Sequence, residues 1–169
     1  MTERLTFTLR PLVPADAPRM TEMMHDSGTI RFLQIGGPDY TQDVALNFIR
    51  STADESRHLH RAVVDSRDLY HGTVSLKNID REKLEAEYAI SIHPDAQGKG
   101  AAAAASQGIL DIAFGRLGLK RVYLNVLADN ARANKFYQKF GFRFTHTGTL
   151  DYKGSQKVLN WYEATAPQP

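Results

Sequence analysis

Cysteine is absent from this 169-residue chain. A disulfide scaffold, a thiolate metal site and a cysteine nucleophile are therefore excluded. No apolar run approaches the ~18–20 residues that span a bilayer. The opening MTERLTFTLRPLVPAD lacks the cationic start and apolar stretch of a secretory signal. A soluble, cytoplasmic protein without a membrane partner is the expectation. An excess of one charge is lacking as well: the formal net charge is +2. With no basic block, no nucleic-acid partner is expected. No metal is expected either. His58 and His60 share a strand face, but no third ligand lies near them in sequence. Internal repeats and low-complexity linkers are also missing. What is present is an ordinary globular balance, 42% hydrophobic and 24% charged. The length suits one domain, expected over residues 1–163, with 164–169 as a frayed tail.

Periodicity and punctuation divide the chain. LTFTLRPL alternates and reads as a strand. PADAPRMTEMMHD reads as a helix, with Asp16 a candidate cap and Met20, Met23 and Met24 on one face. SGTIRFLQIGGPDY is broken by glycines and reads as a long loop. TQDVALNFIRST reads as a helix capped by Thr41. HLHRAVVD, LYHGTVSLKNI and EAEYAISIHP read as strands, the last ended by Pro94. Residues 99–117 read as a helix closed near Gly118. KRVYLNVLA is a strand and NARANKFYQKF a helix closed by Gly141. FRFTHTGTL and QKVLNWYEA make a closing strand pair. The order β-α-α-β-β-β-α-β-α-β-β describes a single α/β (α+β) domain.

One corner stands out. HPDAQGKGAAAAASQGIL places bare backbone where a strand gives way to a helix. Glycine has no Cβ, so a ligand can touch the main chain at Gly98 and Gly100. The helix that follows aims its free N–H groups and positive dipole end at the same corner, a site suited to a diphosphate. The alanines keep its first turns slim. A tight turn before an alanine-rich helix is the plainer reading of these residues alone. The spacing matches neither a Walker loop nor a dinucleotide fingerprint.

A second stretch, LADNARANKFYQKFGF, narrows the choice. Gln97, Gly100 and Ala102 fit the pattern Q/R-x-x-G-x-G/A. Asn130, Ala133, Tyr137, Lys139, Gly141 and Phe142 fit N-x-x-A-x-x-x-Y-x-K-x-G-F. Together with the element order, these motifs resemble the GNAT superfamily of N-acetyltransferases. GTVSLKNID ahead of AEYAISIHP is most similar to the ribosomal-protein and small-amine acetyltransferase group. The resemblance implies a mixed, mostly antiparallel sheet of about seven strands flanked by about four helices. The departure lies after GKG, where relatives carry a bulky residue, Gly and Thr-Glu. Here Ala101 to Ala104 leave only backbone grip.

The resemblance also implies a chemistry: acetyl transfer from acetyl-CoA to a primary amine, directly, in a ternary complex. Small amines, amino sugars and peptide N-termini are all possible acceptors. A catalytically inactive acyl-CoA sensor of the same fold is the rival reading, and a homodimer is an expected assembly. On the cofactor side the implied residues are the main chain of Ile90, Ser91 and Ile92, then Gln97, Gly98, Lys99, Gly100, Ala101, Ala102, Asn130 and Tyr137. Tyr137 is the candidate general acid, since a phenol can give a proton to a thiolate at neutral pH; a core aromatic is its plainer role. Asn130 is equally well explained as a helix cap. Glu87 is the candidate base, directly or through water, with His93 as rival and a solvent-facing carboxylate as the plain alternative. On the acceptor side, Asp26 can attract a cation, and Phe32 and Tyr40 can lie against its carbon chain. The methionines Met20, Met23 and Met24 are either an adaptable wall there or a core stripe.

Overall fold

The computed structural model describes residues 5–30, 36–152 and 154–168. Its strands are β1 (Thr8–Arg10), β2 (Leu59–Val64), β3 (Tyr70–Asp80), β4 (Glu85–Ile92), β5 (Arg121–Leu127), β6 (Arg143–Tyr152) and β7 (Ser155–Thr165). Its helices are α1 (Ala17–His25), α2 (Ser27–Ile30), α3 (Gln42–Ser51), α4 (Ala101–Asp111) and α5 (Ala131–Phe140). The strands form one seven-stranded sheet in the order β1-β2-β3-β4-β5-β7-β6. Every neighbouring pair is antiparallel except β4 with β5. This is the mixed, mostly antiparallel sheet that the motifs implied. Among the described residues, no helix is long and apolar enough to cross a membrane.

Alternation along the strands builds two cores, one on each face of the sheet. On one face Val74, Leu76, Ala86, Tyr88, Val122 and Leu124 pack with Ala101, Ala105 and Ile109 of α4 and Tyr137 of α5. On the other, Ala62, Val64 and Tyr70 meet Met20, Met23 and Met24 of α1 and Ala45 and Ile49 of α3. The three methionines are thus a core stripe, each no more than 6% exposed.

Several local expectations change. The loop expected over residues 27–40 contains the one-turn α2. Asp26 accepts from Thr29 N and Oγ1 at 2.8 and 2.7 Å and so starts that turn. Asp16 does not cap α1. Its buried carboxylate accepts from Arg10 at 2.8 and 2.9 Å and from Val13 N at 2.9 Å. Thr41 does cap α3, accepting from Val44 N at 3.2 Å. The helix expected over 99–117 is α-helical only to Asp111, then widens to π geometry over Ile112–Arg116. The expected tail is paired at its start: β7 runs through Thr165, and Ala166 N donates to Lys120 O at 2.9 Å.

Candidate active site

The parallel pairing of β4 with β5 lasts only from Glu85–Arg121 to Glu87–Tyr123. Beyond it β5 remains paired to β7 as far as Leu127, and β4 to β3 as far as Ile92. A seam therefore opens in the middle of the sheet. The register decides what faces it. His93 N donates to His71 O at 2.6 Å. Bonded residues alternate along an antiparallel pair, so Ser91 and Ala89 also bond back to β3. The main-chain N–H and C=O of Ile90 and Ile92 then point to the β5 side, into the seam. Ile92 O accepts there from Gln97 Nε2 at 3.2 Å. Ser91 is the correction to the expected trio: its main chain lies in the β3 ladder because alternation turns it away from the seam.

The glycine corner closes one end of the seam. Gly98 and Gly100 both have positive φ, 75° and 88°, a conformation that side chains with a Cβ rarely adopt. Among the described residues, a Cβ on Gly100 would meet nothing within 4 Å. The open space lies directly before the N-terminus of α4, whose cap is Gly100 itself. Intrahelical bonding begins with Ala104 N to Gly100 O, leaving the N–H groups of Ala101 and Ala102 outside it. Ala101 is buried and Ala102 half-buried, whereas Lys99 is exposed. Gln97 joins the corner to its surroundings. Its Nε2 also donates to Thr29 Oγ1 of α2 at 3.3 Å, and its Oε1 accepts from Arg132 Nη1 of α5 at 3.4 Å. These residues fit a diphosphate-bearing chain: free N–H donors, no Cβ in the way, and a guanidinium alongside.

Helix α5 presents Tyr137. Asn130 caps the helix, with Oδ1 accepting from Ala133 N at 3.2 Å. At the far end Gly141, at φ 117°, stops it. A residue that sequence reading missed anchors the helix between its caps. Asn134 is buried; its Nδ2 donates to Leu127 O and Asn130 O, while its Oδ1 accepts from Asn160 Nδ2 and Tyr162 Oη, both at 2.8 Å. Its signal was weak: one Asn at the spacing of Ala133 and Tyr137 reads as helix surface. Tyr137 is 8% exposed and meets Tyr88 and Phe142 edge-on, with centroids 5.9 and 5.5 Å apart. Burial pushes its phenol above the ordinary tyrosine value, and the Tyr88 hydroxyl pulls it partway back. The phenol is thus fully protonated at neutral pH.

Glu87 lies on the opposite face of β4, half-buried, where the seam begins. Its Oε2 accepts from Asn78 Nδ2 at 3.2 Å. Neighbouring Glu85 is occupied by Arg121 Nη1 at 3.1 Å. His93 is 2% exposed, and its Nδ1 accepts from Asp95 N at 3.1 Å. Its Nε2 faces Glu22 of α1 at 3.5 Å, with no hydrogen-bond partner among the described residues. That arrangement turns the rival base toward α1. Tyr40 packs against the methionine core, and burial raises its phenol. Asp26 is half-buried at the start of α2, its carboxyl lowered by the hydrogen bonds from Thr29. Phe32 lies outside the described residues.

Comparison with known proteins agrees with this architecture. The profile of the acetyltransferase (GNAT) domain matches residues 6–143, and the chain belongs to that family. It is an acyl-CoA-dependent N-acetyltransferase, with acetyl-CoA as co-substrate. Spermidine N(1)-acetyltransferase of Escherichia coli (strain K12) is 29% identical over 139 residues, 79% of this chain and 71% of that protein. The L-amino acid N-acetyltransferase of the same organism is 29% identical over 87 residues, 52% of this chain and 54% of that protein. Among solved structures, spermidine N-acetyltransferase from Vibrio cholerae in complex with CoA and spermine has a TM-score of 0.83. It is 23% identical, with 94% of this chain and 95% of that one covered, a likeness of fold.

Proposed function

We propose that the protein transfers the acetyl group of acetyl-CoA directly to a primary amine of a small cationic acceptor, with both substrates bound together. The observation that carries this reading is the seam. It leaves the main-chain N–H of Ile90 turned from β3 and beyond the last β5 pair, on a strand with Glu87 on one face and the buried Tyr137 packed against the other at Tyr88, which supports the reading. In this reading the first N–H groups of α4 and the backbone of Gly98 and Gly100 hold the diphosphate. Ile90 N–H donates to the thioester oxygen as it gains charge. Glu87, alone or through a water, takes a proton from the amine, and Tyr137 gives one to the departing sulfur. Asn130 has side-chain capacity left beyond its cap for an amide of the pantetheine arm.

The acceptor class rests on charge and on the relatives. Around His93 at the end of β4, Arg19 offsets Asp95 at 3.3 Å, which leaves Glu22 and Asp26 to attract an ammonium. Spermidine acetyltransferases among the relatives support a polyamine-like acceptor. Asp26, Tyr40 and Phe32 are the acceptor residues proposed. The test is a screen following release of the CoA thiol with polyamines, monoamines, amino sugars, amino acids and short peptides. Polyamines should give the highest kcat/KM. Turnover confined to amino acids or peptides would overturn the acceptor class, and no turnover with any amine would overturn the enzyme reading.

A further inference from the structure

Among the described residues, His93 Nε2 is the one buried side-chain polar atom without a hydrogen-bond partner. Where the ring's proton sits follows from its neighbours. Nδ1 accepts from Asp95 N at 3.1 Å, so that nitrogen carries none. Burial, helped by the charge of Arg19, lowers the imidazole's pKa and keeps the ring neutral at neutral pH. Its single proton is therefore on Nε2, and the unpaired atom is a donor. It is aimed at Glu22 of α1, whose Oε1 lies 3.5 Å away, just beyond a good bond. A buried donor left unpaired is costly. Glu22 differs from the carboxylates nearby. Asp95 is offset by Arg19 at 3.3 Å, and Asp65 faces His71 at 2.8 Å. Arg19 is committed further to Tyr70 O and His71 Nδ1, away from Glu22 three residues on. Among the described residues, neutral His93 is the only basic side chain within ion-pair distance of Glu22. With 63% of its side chain exposed, Glu22 holds an uncompensated charge at the end of β4.

We propose that Glu22 binds a second ammonium group of the acceptor and that His93 is its positioning residue, a proposal that rests on the reading of a small cationic acceptor. His93 stands three residues past Ile90, about 10 Å along an extended strand. Glu22 is thus set apart from the nitrogen that reacts beside Ile90, at a reach that suits another nitrogen several methylenes away. A carboxylate has two oxygens, and both can accept. One takes Nε2–H of His93 after a small rotation of the exposed side chain. The other takes the ammonium in a charge-assisted bond. A glutamate on a helix surface loses rotamer freedom when it grips a ligand. The His93 donor takes part of that loss in advance, so more of the bond appears as affinity. A neutral donor also leaves the carboxylate its full charge, which Arg19 does not do for Asp95. Asp26 adds attraction from one helical turn further on, with Oδ2 already engaged by Thr29.

The test measures kcat and KM for spermidine, KM for acetyl-CoA and melting temperature in the parent and its variants. Glu22→Ala should raise the spermidine KM about tenfold, the loss of one charge-assisted bond, with the effect in KM rather than in kcat. Two substitutions at His93 separate positioning from packing. Asn keeps an oxygen to accept from Asp95 N but has no donor where Nε2 stands. Gln supplies that donor and gives up the short cap. His93→Asn should therefore raise the spermidine KM about threefold with the melting temperature held. His93→Gln should keep the parent KM even where it melts lower. Introduced into Glu22→Ala, His93→Asn should raise KM no further. An unchanged spermidine KM in Glu22→Ala would overturn the proposal. So would a His93→Asn loss that persists in full without Glu22, or a KM in His93→Gln that follows its melting temperature. Glu22 is exposed, so its variant stays readable should a His93 variant fail to fold. If the parent itself turned over no polyamine, the cationic-acceptor reading would fall and the proposal with it, a result distinct from failure of the variants alone.

Discussion

Arg132 and Gln97 meet across the glycine corner: the guanidinium Nη1 donates to the amide Oε1 at 3.4 Å, and Nη2 lies 3.7 Å from where a Gly98 Cβ would stand. Gln97 lies in the turn after β4 and Arg132 in the first turn of α5, after β5. Their contact holds a positive charge over bare backbone. Reversing it with Arg132→Glu should raise the KM for acetyl-CoA about tenfold at low ionic strength and less in high salt, because an exposed charge is screened. kcat at saturation should stay unchanged. A KM insensitive to both the substitution and salt would remove Arg132 from the cofactor site.

Gly100→Val tests the backbone itself. Its positive φ disfavours any β-branched residue, and the space before α4 would receive the new side chain. Calorimetry should show acetyl-CoA binding weakened by at least an order of magnitude, with circular dichroism of the folded protein retained. Unchanged affinity in a folded variant would move the diphosphate elsewhere.

Glu87→Gln should change the shape of the pH profile. A base is needed most where the acceptor is an ammonium ion and least where free amine is abundant. kcat/KM should therefore fall most on the acidic side and converge with the parent as pH rises. A profile scaled down evenly would assign the proton to a water route or to His93.

His60 offers a prediction about stability. Burial, helped by the charges of His58, Lys77 and Arg61, lowers its value to about 4. The folded state thus favours the neutral ring. Its contribution is fully present above the ordinary value of about 6.5 and is lost as pH falls from there toward about 4, because the unfolded chain takes up the proton first. Denaturant unfolding should show a stability that drops between pH 7 and 4.5, and His60→Gln should flatten that slope. An equal slope in both proteins would assign it to other groups.

Much of this was legible in the chain. The glycines at 98, 100 and 141 act through their own backbone freedom, so their positions carry their meaning. Asn130 and Thr41 act on residues three positions away, again within reach of a local reading. What stayed hidden depends on partners far along the chain. Asp16 looks like a cap until Arg10 folds against it. Asn134 looks like surface until Asn160 and Tyr162 arrive on β7. The length of the β4–β5 pairing, and with it the seam, is a matter of how two strands diverge, which no hydrophobic period records.

That short pairing has a mechanical consequence. The sheet is two plates, β1 to β4 and β5 with β7 and β6, riveted along three residue pairs. Arg121 sits at the rivet. Its Nη1 grips Glu85 on one plate at 3.1 Å, and its Nε grips Glu163 on the other at 2.6 Å. Like the spine of a book, this clasp sets how far the free edges part. With the acyl chain in the seam, as proposed, the width available to it would answer to a guanidinium that need never touch it.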